Sequence, residues 1–136
     1  MTQAGSWLVV GGALALLLYG CAFDLVHVKQ VPTTLDSRAS ATGGLVLNTQ
    51  AHVDLGTGFS RTLRQGTTWE HVGSIPQGHV YRTRDQVVTV EASNVHEAYI
   101  VVAGNKLVGF YLPVERSFSP LADAVELDLK ARASNP

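Results

Sequence analysis

The chain has 136 residues, with 10 lysines and arginines against 11 aspartates and glutamates, which gives a formal net charge of −1. This near-neutral balance argues against nucleic acid as a partner, because nucleic-acid binding requires a strongly basic surface. The length accommodates one domain with a modest core. A single cysteine excludes an intramolecular disulfide.

An apolar segment runs from Trp7 to Gly20 and ends at that cysteine, Cys21. It is shorter than the roughly 20 residues that a membrane-spanning helix needs, and it has the length of a signal-peptide core. The sequence Leu18-Tyr19-Gly20-Cys21 resembles the lipobox of bacterial lipoproteins, in which a cysteine becomes lipidated and N-terminal. An uncleaved membrane anchor and a buried core segment are the alternatives.

The lipoprotein resemblance implies a domain organisation and a location. It makes residues 1–20 a signal peptide and Cys21 the lipidated residue, so that the protein associates with the membrane through its acyl chains. Ala22 follows the cysteine, and by the sorting rule of that family this favours the periplasmic face of the outer membrane. The alternative location is the inner membrane, with an uncleaved N-terminal helix as the anchor.

The mature chain is expected to begin with a strand and a flexible loop within residues 21–44. The strand is predicted over Phe23–Val31, and the polar loop over Thr33–Gly44. The clearest strand signal lies in the next segment, 45–130, where apolar and polar residues alternate from Leu45 to Leu55. A period of two indicates a half-buried strand. Residues 131–136 are predicted to be a disordered tail.

Further short strands are separated by turn residues. They are predicted at Phe59–Leu63, Trp69–Ile75, His79–Thr83, Gln86–Ala92, Tyr99–Val102 and Leu107–Leu112. Gly104-Asn105 between the last two is typical of a hairpin turn. After Ser119 a helix and a strand are both open, with the strand favoured. Six to eight short strands predict an all-β fold, a small antiparallel barrel or sandwich behind an N-terminal signal helix.

Catalytic and metal-binding motifs are incomplete. His96-Glu97 begins like the helical zinc motif, but Ile100 stands where that motif needs a second histidine. The five histidines lack the close spacing of metal ligands. We therefore predict no enzymatic activity, no catalytic residue, no metal or other cofactor and no small-molecule substrate.

One stretch, Phe59 to Arg84, combines arginines with aromatic residues, which often dominate binding energy at interfaces. The candidate partner-binding residues are Arg61, Arg64, Trp69, Tyr81, Arg82 and Arg84. For the two aromatic residues, core packing is the alternative. The four arginines are expected to lie near one another if the strands that carry them are neighbours, with Glu70 as the local acidic partner.

These features predict a lipid-anchored envelope protein whose β-domain is a non-enzymatic binding or scaffold module for another envelope component, most readily an envelope protein. The alternatives are a binder of cell-wall glycan or another periplasmic polymer, and an immunity or inhibitor lipoprotein.

Overall fold

The computed structural model describes residues 26–40 and 43–132, and this part of the chain is all-β and antiparallel. The predicted signal peptide, its helix and Cys21 lie outside the described residues, as do residues 133–136 of the predicted tail. Within the described ranges, no helix has the length and apolar character needed to cross a membrane. The predicted fold class is confirmed.

Twelve strands and one 3₁₀ turn (Ser37–Ala39) form in the described residues. The strands are β1 (Val31–Pro32), β2 (Gly44–Leu47), β3 (Ala51–Asp54), β4 (Ser60–Leu63), β5 (Thr68–Ile75), β6 (Gly78–Thr83), β7 (Thr89–Glu91), β8 (Val95–Glu97), β9 (Tyr99–Ala103), β10 (Lys106–Leu112), β11 (Ser117–Glu126) and β12 (Leu129–Ala131). The number exceeds six to eight because several strands have only two to four residues.

Eight strands form one sheet in the order β1-β11-β10-β9-β6-β5-β2-β12, and the hairpins β3–β4 and β7–β8 form two smaller sheets. The large sheet is open, so the fold is a sandwich and not a closed barrel. Bulges at Val72 in β5 and at Val108 in β10 shift the register of their strands. A bulge bends a strand and increases its twist.

The alternating segment Leu45–Leu55 forms two strands, β2 and β3, where one was predicted. The predicted alternation nevertheless holds, because Ala51 and Val53 are buried while His52 and Asp54 are exposed. The segment divides because β2 pairs with β5 and β12, whereas β3 leaves the large sheet to pair with β4.

The N-terminal segment differs from the predicted strand over Phe23–Val31, which is wrong for residues 26–30. Only Val31–Pro32 pairs, with β11, and Val28 is buried in the core. The chain then crosses to β5, where Asp36 and Ser74 exchange two backbone hydrogen bonds of 2.9 and 3.1 Å. Gly73 permits this approach, because a Cβ there would lie 2.5 Å from the carbonyl oxygen of Asp36.

The predicted hairpin at Gly104-Asn105 is confirmed. Lys106 pairs with Ala103, and Gly104 has a φ of 61°. Glycine at the first central position is typical of a type II′ turn, which matches the twist of the flanking strands.

The tail after Ser119 forms strand β11, as favoured. Pro120 is tolerated there because β1 pairs only with Ser117 and Phe118, so the outer edge of β11 is open at the proline.

Each face of the large sheet has its own apolar core. The inner core packs under the two hairpins and contains Trp69, Phe110 and Leu112. The outer core contains Val80, Val101, Tyr111 and Phe118, with Leu35 of the N-terminal segment packed against it. This explains the continuous apolar run in β10, whose alternate residues enter different cores.

Candidate binding cleft

The four candidate arginines do not form one patch, because the strands that carry them are not neighbours. Strand β4 pairs with β3, whereas β6 lies between β5 and β9 in the large sheet. Strands β3 and β4 are neighbours in the sequence, and a short loop lets them pair with each other as a hairpin. The expected cluster of four is therefore corrected: Arg61 is held by the β7–β8 hairpin, Arg64 lies against the loop that follows Arg84, and only Arg82 and Arg84 line the same cleft.

Arg61 is a structural residue that connects the two hairpins. Its Nε donates to the backbone oxygen of Thr89 at 3.0 Å, and its Nη2 donates to Thr89 Oγ1 at 2.6 Å and to a carboxylate oxygen of Glu91. About a quarter of each charged side chain is exposed. The expectation that Glu70 is the only acidic partner of these arginines is wrong, because Glu91 neutralises Arg61.

Arg64 supports the loop that follows β6. Its Nη2 donates to the backbone oxygen of Asp85 at 2.7 Å, and its backbone N–H donates to Gln86 Oε1 at 3.1 Å. The side chain of Gln86 in turn donates to the backbone oxygen of Thr62 at 2.8 Å. These bonds attach residues 84–88 to β4 and fix the loop in place.

Asp85 attaches the same loop to β5. Its Oδ2 accepts hydrogen bonds from the backbone N–H of Thr68 at 3.0 Å and from Thr68 Oγ1 at 2.8 Å. These bonds stabilise the carboxylate and lower the pKa of Asp85, and Arg132 and Arg64 lower it further. The Asp85 carboxylate is therefore already bound by Thr68 of the same domain.

Arg82 and Arg84 line a cleft that we call the arginine cleft, formed by residues 82–88 and 97–99, with a volume of about 520 Å³. Both arginines are exposed and project to the outer face of the sheet, because alternate residues of a strand share a face. That both line one cleft agrees with their predicted common orientation. Tyr99 lies beside Arg82, one step beyond the Tyr81–Ile100 pair of β6 and β9.

The two arginines of the cleft differ in their partners. Arg84 Nε lies 3.2 Å from Glu70 Oε2, and both side chains are about half exposed. Such a surface pair contributes only ~0–1 kcal/mol, so Arg84 can exchange this carboxylate for another at small cost. The Arg82 side chain has no hydrogen bond or ion pair with any residue in the described ranges.

The cleft is also lined by a valine, a tyrosine and an acidic residue. Val87 is 82% exposed at the end of the fixed loop, and Tyr99 is half-buried against the outer core. Glu97 is an exposed acid on the opposite wall. A preformed surface of this kind loses little conformational entropy when it binds a partner.

Trp69 and Tyr81 belong to the inner core. Trp69 is 1% exposed, and its Nε1 donates to Thr67 Oγ1 at 3.1 Å. Tyr81 packs against the same core with its ring 6.4 Å from that of Trp69, and burial raises the pKa of its phenol. The structure therefore favours core packing over partner binding for these two residues, and neither belongs to the candidate site.

The histidines form pairs and not a metal site. In the described part of the chain, no group of three or more His, Cys, Asp or Glu side chains is placed to hold a metal ion. His71 Nε2 lies 3.1 Å from His79 Nδ1, and His96 Nδ1 lies 2.5 Å from Glu115 Oε1. His96 stands on strand β8 and not on a helix, so the helical zinc motif has no structural counterpart.

The sequence alone did not identify Val87, Glu97 and Tyr99 as part of the site. The sequence predicts only that Tyr99 belongs to a hairpin strand, and its position beside Arg82 depends on the pairing of β6 with β9. The sequence pattern assigns Val87 to the predicted strand Gln86–Ala92, of which only Thr89–Glu91 forms a strand, so no local signal identified it as part of a cleft.

No protein-family model, curated protein or solved structure matches this chain.

Proposed function

We propose that this protein is a non-enzymatic, lipid-anchored envelope protein whose β-domain binds another envelope protein through the arginine cleft. The observation that carries the proposal is the position of Arg82. Its guanidinium is exposed beside Tyr99 and makes no hydrogen bond or ion pair in the described part of the chain; Glu70, which faces it across the β5–β6 pair, bonds to Arg84 instead. A planar guanidinium in such a position suits the carboxylate of a binding partner.

The composition of the cleft favours a polypeptide. Its lining combines two arginines with Glu97 and with the apolar side chain of Val87 and the ring of Tyr99. A protein segment presents charges of both signs together with apolar side chains, whereas a polyanion would be repelled by the acid. A glycan site has less support, because Trp69, the aromatic residue considered for it, is buried.

The anchor in this proposal is Cys21, on the evidence of Leu18-Tyr19-Gly20-Cys21. Acylation by more than one chain makes membrane attachment stable. The proposed location is the periplasmic face of the outer membrane.

The test uses the full chain in cells, with a photo-crosslinking amino acid at Val87. We expect a crosslinked product of defined mass in the parent protein. The double variant Arg82→Glu, Arg84→Glu should reduce its yield about tenfold or more, because breaking a bound charge pair costs about 2–5 kcal/mol. Cys21→Ser should abolish fatty-acid labelling and leave the precursor uncleaved.

The matched control reverses two exposed charges elsewhere, Arg38→Glu in the 3₁₀ turn and Lys130→Glu in β12. This control should retain the crosslink. An equal loss in both double variants would contradict the cleft. Fatty-acid labelling that persists in Cys21→Ser would contradict the anchor.

A further inference from the structure

Three apolar side chains are exposed on three segments that meet at one place. Val26 in the N-terminal segment is 43% exposed, Phe59 in the β3–β4 loop is 46% exposed, and Val95 at the start of β8 is 68% exposed. We call these residues the apolar tip. Exposed apolar residues are ordinary when they are scattered, but a group on loop ends calls for an explanation.

Hydrogen bonds hold the three segments together. The Ser93 N–H in the β7–β8 turn donates to the Val26 oxygen at 3.0 Å, and Thr57 Oγ1 in the β3–β4 loop donates to the Glu91 oxygen in β7. Glu91 is the cross-strand partner of Val95. These bonds hold the three segments that carry Val26, Phe59 and Val95 next to one another.

The charges beneath the tip are compatible with an apolar partner. Glu91, the acid at the junction, is neutralised by Arg61. The basic residue Lys29 is exposed in the N-terminal segment, next to the tip. Asp54, an exposed acid at the start of the β3–β4 loop, offsets this charge, so the apolar side chains themselves are what would contact lipid.

The chain length between the tip and the proposed anchor limits the possible occupants. Val26 is five residues from Cys21, and even a fully extended chain spans only ~3.3–3.6 Å per residue, or about 18 Å in total. A lipid on Cys21 therefore brings the apolar tip close to the bilayer surface.

We propose that the apolar tip formed by Val26, Phe59 and Val95 contacts the lipid surface and fixes the orientation of the domain on the membrane. This inference rests on the proposed lipid anchor and adds a second membrane contact that the anchor does not require. Exposed phenylalanine and valine side chains are suited to shallow insertion at the headgroup boundary.

The test uses the full chain, purified with its lipid and reconstituted into vesicles of phosphatidylethanolamine and phosphatidylglycerol. Val95→Cys and, separately, Phe59→Cys carry a nitrobenzoxadiazole probe. The control is Asn105→Cys, an exposed residue in the β9–β10 turn. The parent chain without an added cysteine should take no probe, because its only thiol is acylated.

We expect the emission from both tip positions to shift to shorter wavelength in vesicles and to be quenched by nitroxide-labelled lipid, with neither effect at Asn105→Cys. Water-like emission at both tip positions, in protein that floats with the vesicles, would overturn the apolar tip while leaving the anchor intact. A similar shift at Asn105→Cys would also overturn it. Protein that does not float, with probe bound at Cys21, would overturn the anchor and the tip together.

Discussion

The two faces of strand β6 both carry large polar side chains, which pack against other rings on one face and are exposed to solvent on the other. On the inner face, Tyr81 and His79 contact the rings of Trp69 and His71 across the β5–β6 pair. On the outer face, Val80 is buried but Arg82 projects into the open cleft. One strand thus carries side chains packed into both cores together with an arginine that is exposed in the cleft.

The arginines show the same contrast between β4 and β6. Arg61 is fully engaged by Thr89 and Glu91, whereas Arg82 has no hydrogen bond or ion pair in the described residues. Equal residue types in similar strands therefore have different roles, which depend on the hairpin that packs opposite them.

The largest effect should come from removing the inner-face aromatic. Trp69→Ala should lower the free energy of unfolding by about 3–5 kcal/mol, because it empties a fully buried site and removes the bond to Thr67. Urea unfolding of the full chain, followed by circular dichroism, measures the loss. The control is Val87→Ala on the exposed wall of the cleft, expected within about 0.5 kcal/mol of the parent. Equal stability of the two variants would show that the faces have been assigned wrongly.

The contrast between Arg61 and Arg82 predicts a smaller difference in the free energy of unfolding. Arg61→Met should cost about 1–3 kcal/mol, since it leaves half-buried polar groups of Thr89 and Glu91 without their donor. Arg82→Met should change stability by no more than about 0.5 kcal/mol, as expected for an exposed side chain without partners. The same urea titration compares the two. A loss at Arg82→Met as large as that at Arg61→Met would remove the argument that Arg82 is free for binding.

The sequence predicted the features that depend on local pattern. The alternation of Leu45–Leu55 placed the correct residues inside, and Gly104-Asn105 placed the hairpin, because period and turn chemistry act over a few residues. The common direction of Arg82 and Arg84 followed from the same alternation.

Features that depend on long-range pairing could not be predicted. The sequence does not say that β6 pairs with β9, and this pairing is what sets Tyr99 beside Arg82. It equally does not say that Glu91, thirty residues from Arg61, becomes its partner. Residues 26–30 carry a strand-like composition, but most of the edge they approach on β11 stays unpaired.

The smallest predicted effect is a loss of stability at acidic pH, and it again tests a residue on the inner face of the sheet. His71 is 8% exposed, and its ring lies against the rings of His79 and Tyr81 at 5.1 Å. Desolvation by burial lowers the pKa of His71, and the neighbouring His79 lowers it further. The unfolded chain, with an ordinary histidine pKa of about 6.5, then binds a proton more readily than the folded one.

This contribution to stability is therefore complete above about pH 6.5, and it is lost as the pH falls below that value through the lower pKa of the folded protein. The urea midpoint of the parent should decrease between pH 7.5 and 5, and His71→Gln, which cannot titrate, should decrease less. His27→Gln, at an exposed histidine of the N-terminal segment, controls for the removal of one histidine and should follow the parent. The lowered pKa of Asp85 acts only at more acidic pH, because that carboxyl titrates below an ordinary value of 3.8, so Asp85 does not contribute to the change in this window. Identical pH dependence of the parent and His71→Gln would show that burial on the inner face does not disfavour the charged ring.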